Sequence, residues 1–234
     1  MRLSSLSFAA SASLLLLGAG CSNFSASQPQ ATSPLRVVEE PTPAETVVEP
    51  YATSTDTSAS STLPATPAKP MSFAFPGAQP AAEVSKKVRI KTTLGDIVIA
   101  VRPDLGPLAA SNFVYLAKNA FYDGTIFHRV IPGFMIQGGD PTGTGRGGPG
   151  YQFDNDPVSV PYSDGMVAMA NAGRNTNGSQ FFIMVADYPL PPDYSIFGKV
   201  VEGLDVAHRI ADTERDGQDR PLKDVQMVSV TVEE

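Results

Sequence analysis

The chain changes character near Lys86, and that break limits what it can fold into. Beyond it, Val88, Ile90 and Thr92 alternate with Lys87, Arg89 and Lys91, and Ile97, Ile99 and Val101 resume the period after Leu94-Gly95. Period-two alternation on both sides of a short glycine turn is the pattern of a β-hairpin with one buried face. Before the break, Ser22 to Ala82 is rich in Ser, Thr, Ala and Pro and holds ten prolines, with no period sustained for a whole element. Such a stretch cannot bury enough apolar surface to offset the entropy of ordering it. Residues 22–82 are therefore expected to form a disordered linker with local polyproline character, and 83–234 a folded domain large enough for one core.

Ahead of the linker, MRLSSLSFAASASLLLLGAGC places one positive residue, Arg2, before an apolar run that ends in small residues at Cys21. This is the three-part pattern of a secretory signal, too short and serine-rich for a membrane span. It resembles a bacterial lipoprotein signal, although Gly18 stands where that pattern usually has leucine. The resemblance implies that 1–21 is a signal peptide, that Cys21 becomes a lipidated mature N-terminus, and that the domain is held to a membrane. The expected location is extracytoplasmic, in the cell envelope.

Composition removes several function classes. A net charge of −7 disfavours nucleic acid, whose phosphates demand clustered Lys and Arg. One cysteine allows neither an internal disulfide nor a Cys-rich zinc site, and His128 and His208 lie far apart. No metal site is expected.

Within the domain, LAASNFVYLAKN (108–119) has helical spacing at Phe113, Leu116 and Ala117, with Pro107 suited to its first turn. Short apolar runs follow at 125–130, 134–137, 166–170, 180–185 and 195–201, separated by Gly, Pro, Asn and Asp. A second short helix is expected at 204–210 and a last alternating strand at 225–232. Many short strands with two isolated helices argue for a closed antiparallel barrel or a sandwich.

Gly143 to Gly148 fits GxGxxG literally, but Pro149 and Gly150 follow it instead of a helix that would receive a pyrophosphate. It reads better as a mobile glycine loop beside a site. Asn177-Gly178-Ser179 reads as a turn, and no GxSxG, HExxH or Walker sequence is present. The informative blocks are YDGTIFHRVIPGFMIQGGD (122–140) and MANAGRNTNGSQFFI (169–183). On these the chain closely resembles the cyclophilin family of peptidyl-prolyl cis-trans isomerases over about 86–232. The resemblance implies a mainly β fold, a closed eight-stranded antiparallel barrel capped by two α-helices. It also implies a monomeric isomerase that acts on X–Pro bonds of proline-containing polypeptides without a cofactor.

Position by position, the resemblance makes Arg129 the donor to the reacting amide nitrogen. Phe134, Met135 and Phe182 become the proline pocket, and Leu190 its wall. Gln137 would bond the substrate backbone and help hold the arginine, Ala170 and Asn171 would contact the segment before the proline, and Gln180 would face the groove. His128 precedes the arginine, alternates to the other side of its strand, and is expected to be structural. Two departures stand out. The family's pocket-rim tryptophan is absent, with Pro189 nearest its place, and Tyr194 stands for a histidine. Loss of the indole N–H implies weak cyclosporin binding. The competing reading is a proline-recognising binding module or holdase with incidental isomerase activity; ligand carriage inside a small barrel is disfavoured because side chains fill it.

Overall fold

The expected hairpin forms between β1 (Lys87–Thr92) and β2 (Gly95–Val101), in a register that runs from Lys87↔Ala100 to Thr92↔Gly95. The computed structural model of the chain describes residues 73–233. The expectations for the signal 1–21, for Cys21 and for 22–72 fall outside the described residues. The remaining strands are β3 (Arg129–Ile131), β4 (Met135–Gly138), β5 (Met166–Met169), β6 (Phe181–Met184), β7 (Ile196–Glu202) and β8 (Met227–Glu233). The helices are α1 (Ala81–Val84), α2 (Pro107–Lys118) and α3 (Leu204–Ala211). The two longer ones lie where their spacing predicted; the single turn α1 was not anticipated.

All eight strands belong to one antiparallel sheet in the order β3-β4-β6-β5-β7-β2-β1-β8. The edge strands β3 and β8 do not pair, so the expected closed barrel is, among the described residues, a curled half-barrel. The reason is local. β3 is only three residues long, and the segment before it crosses the seam irregularly. Ile126 makes isolated bridges to Asp140 and Gln226, while the Gly124 and Phe127 amides donate to Met227 and Val225.

Alternation along the strands divides the apolar residues between two cores. Ile136, Val167, Phe181 and Ile183 join Val88, Ile90, Ile97 and Ile99 in the main core, which α2 completes with Phe113 and Leu116 and α3 with Val206 and Ile210. Their strand neighbours Met135, Ala168, Phe182, Met184 and Ile196 point the other way and form a second, smaller core. The functional site is built on that second face.

The last part of the expected linker, 73–82, packs on the domain. Phe75 stacks on Phe153 with ring centroids 4.7 Å apart, and Phe73 meets Phe121 edge-on at 5.1 Å. The Gln79 amide donates to Ser111 Oγ at 2.8 Å, and Val84 is buried in the main core. Each aromatic pair is worth about 0.5–1.5 kcal/mol beyond area burial, enough to order a segment whose composition alone would leave it loose.

Candidate active site

Strand register assembles the site. Arg129 on β3 pairs with Gln137 on β4, which pairs with Phe182 on β6, which pairs with Ala168 on β5, so one rung carries the cation, the amide and the aromatic ring. Beside this rung lies a cleft of about 120 Å³ lined by Arg129, Phe134, Met135, Gln137, Ala170, Asn171, Phe182, Leu190 and Tyr194. Every site residue expected from the sequence is in that lining except Gln180 and Cys21, the latter outside the described residues. Drug-sized ligands need roughly 300 Å³ or more, so the cleft suits one small ring.

The apolar wall is fixed from behind. The Phe182 ring meets Tyr194 edge-on at 5.6 Å, and the Tyr162 hydroxyl donates to Tyr194 O (2.9 Å) while accepting from its amide (3.1 Å). Asn171 Nδ2 donates to Asp193 O at 2.9 Å and to Asn177 Oδ1 at 3.2 Å, tying the loop before β7 to the end of β5.

Gln180 lies one step away, in a wider groove of about 410 Å³ that shares Gln137, Ala170 and Asn171 with the cleft. Its Nε2 donates to both Gly145 O and Gly147 O at 3.0 Å, and its Oε1 accepts from Gln137 Nε2 at 3.0 Å. The amide is thus committed as a brace between the glycine loop and Gln137. The glycine loop borders the site as expected, and it is tied down rather than free.

Arg129 is partly exposed at the cleft edge. Gln137 does not bond it, contrary to expectation; its ionic neighbour is Asp219, with Nε and Oδ2 3.7 Å apart. Asp219 also faces Arg215 at 3.5 Å, and its carbonyl accepts from the Val130 amide at 2.8 Å, so the loop before β8 is latched to β3. Sequence reasoning missed Asp219 because only this long-range latch brings it near. It also missed Tyr188, whose ring lies 4.5 Å from that of Phe134. His128 lies under the glycine loop, buried, with Nδ1 lacking a partner. Burial pushes its imidazole below the usual value, against the opposing pull of Asp140, which favours the neutral ring near pH 7. Among the described residues, no group of three His, Cys, Asp or Glu is placed to hold a metal ion.

A half-barrel with a small cleft, walled on one side by Phe134, Met135, Phe182 and Leu190 and carrying a guanidinium at its lip, defines a site suited to binding and polarising a substrate. The family "Cyclophilin type peptidyl-prolyl cis-trans isomerase/CLD" matches residues 87–232, and the chain belongs to this family. A peptidyl-prolyl cis-trans isomerase of Schizosaccharomyces pombe is 48% identical over 147 residues, covering 60% of this chain and 95% of that protein. Peptidyl-prolyl cis-trans isomerase A of Mycobacterium tuberculosis is 46% identical over 166 residues, covering 61% of this chain and 90% of the relative. A crystal structure of a Cryptosporidium parvum cyclophilin-type isomerase superposes with a TM-score of 0.61 at 37% identity, covering 64% of this chain and 98% of that one. The same protein was also solved in the presence of the dipeptide Ala-Pro.

Proposed function

We propose that this chain accelerates cis-trans rotation about X–Pro bonds of exported or envelope proteins, as a monomer tethered to a membrane through Cys21. The observation that carries the catalytic part is the Arg129–Gln137–Phe182 rung beside a ring-sized cleft with an apolar wall of Phe134, Met135, Phe182 and Leu190. Amide rotation faces a barrier of about 18–20 kcal/mol because the nitrogen shares its lone pair with the carbonyl. In the twisted state the nitrogen regains that pair and becomes a better acceptor. A cationic donor aimed at it therefore binds the transition state more strongly than the planar ground state.

Phe134, Met135, Phe182 and Leu190 hold the proline ring, while Gln137, Ala170 and Asn171 fix the preceding segment so that rotation is confined to one bond. Gln180 keeps Gln137 in place. The chemistry calls for no bond cleavage and no cofactor. Envelope location and anchorage are supported by the resemblance of 1–21 to a lipoprotein signal. Several acyl chains, at about 0.8 kcal/mol per buried CH₂, would hold the protein stably to a bilayer.

Three measurements test this reading. Full-length protein should speed the equilibration of an Ala-Ala-Pro peptide far beyond the uncatalysed time of roughly 10–100 s at 25 °C; binding without acceleration would favour a holdase. The mature N-terminal peptide should carry the mass of a diacylated or triacylated Cys21, and an unmodified cysteine would remove the anchor. Cyclosporin should bind only weakly, because the chain contains no tryptophan to supply an indole donor at the rim. Nanomolar inhibition in a titration would sink that expectation.

A further inference from the structure

The cleft does not end at Leu190. That side chain is also a wall of a second groove of about 210 Å³, which continues between the 158–162 loop and Tyr188. Phe134 of the cleft packs on Tyr188 of the groove, so the two depressions share a ridge. No charged residue contributes to the groove lining, which is supplied by Val158, Val160, Pro161, Tyr162 and Tyr188 along with Leu190.

The groove is preformed. The Tyr188 amide donates to Tyr162 O at 3.0 Å, and the Leu190 amide to Tyr188 O at 2.9 Å. The Tyr162 hydroxyl is held by the backbone of Tyr194. Walls built from prolines and tethered rings lose little entropy when a ligand is bound.

Polarity along the site follows from what each depression shares. The wide groove holding Gln180 joins the cleft through Gln137, Ala170 and Asn171, the residues read as holding the chain before the proline. The apolar groove joins it through Leu190, away from those residues. We propose that this second groove is a specificity subsite that takes an apolar or aromatic side chain from the first two residues after the proline of the same substrate. The inference rests on reading the Arg129 cleft as an X–Pro site. Its chemical content is separate from that reading: it predicts a preference on the C-terminal side of the proline, written by the 158–162 and 188–192 loops.

The test is a pair of peptides, Ala-Ala-Pro-Gly-Gly and Ala-Ala-Pro-Phe-Leu, titrated against full-length protein by calorimetry, with isomerisation followed separately by exchange NMR. The Phe-Leu peptide should bind at least about fivefold tighter, the gain expected from partly burying one or two apolar side chains. Val160→Asp, on a loop outside every strand, should bring that ratio close to one. Val158→Ser is the milder companion if the first variant does not fold, and should lower the ratio part of the way. Equal affinities in the unaltered protein, or a ratio that survives in the folded variants, would overturn the subsite while leaving the isomerase reading standing. Failure of both peptides to bind would overturn the X–Pro reading and the subsite with it.

Discussion

Arg129→Ala is expected to lower kcat/KM for an X–Pro peptide by about a hundredfold to a thousandfold while the domain stays folded. Removing one preorganised donor from a charge-stabilising site costs on that order in other enzymes, equivalent to about 2.7–4 kcal/mol at 1.36 kcal/mol per tenfold. Stability should barely move, because the Arg129 side chain is 44% exposed and its ion pair with Asp219 is long, at 3.7 Å. Exposed pairs of this kind contribute about 0–1 kcal/mol. The loss should fall on kcat with little change in KM, since the cation acts on the twisted amide and the apolar wall holds the ring in both states. Arg129→Lys should recover only part of the rate, because a point charge cannot reproduce the fixed fork of the guanidinium. The check is exchange NMR on both variants beside a thermal melt. A rate in Arg129→Ala equal to that of the unaltered protein would place the catalysis elsewhere in the cleft.

The apolar wall and the arginine were legible in the sequence because two contiguous blocks carry most of them, and strand alternation sends Met135, Gln137 and Phe182 to one face. The hairpin and the two longer helices were legible for the same local reason. What escaped notice depends on contacts between distant segments. Residues 73–82 look like the end of the linker because Ala and Pro make up six of the ten; their order comes from Tyr115, Phe121 and Phe153, which no local pattern connects to them. The seam between β3 and β8 is a matter of register, which short strands hardly encode. At the rim, counting along the chain put Pro189 in the tryptophan's place. The spacing from Phe182 is one residue short, and the ring that packs on Phe134 belongs to Tyr188. Gln180 was read as facing substrate, yet nothing local shows that its amide is already committed to Gly145, Gly147 and Gln137.

Asp140→Ala is expected to destabilise the domain by about 3 kcal/mol at pH 7 and to lower isomerase activity, although Asp140 is not part of the cleft lining. Its carboxylate is fully buried at the root of the glycine loop. One oxygen accepts from the Thr142 amide (2.7 Å) and hydroxyl (2.8 Å), the other from the Thr144 and Gly147 amides (both 3.1 Å). Bonds to a charged group contribute about 1.5–3 kcal/mol each, and relief from burying the carboxylate offsets part of their sum. Gly147 has to be glycine here, since a Cβ at that position would run into the Asp140 carboxylate. At about 2–4 °C per kcal/mol, the melting temperature should fall by roughly 6–12 °C. The pH dependence separates this from simple cavity formation. Burial pushes the Asp140 carboxyl up, but the bonds led by those from Thr142 and Gly147 together outweigh it and hold the group below the usual carboxylate value. A depressed folded-state value means stability that is present above the unfolded value near 3.9 and is lost as pH falls through the folded one. The difference in melting temperature between the unaltered protein and Asp140→Ala should therefore shrink between pH 7 and pH 3; a constant difference would refute the electrostatic account. Activity should drop because the loop's Gly145 and Gly147 carbonyls are the anchors of Gln180, and Gln180 in turn holds Gln137 beside the arginine. Melts at the two pH values, with kcat/KM at pH 7, test both halves of the prediction on one variant.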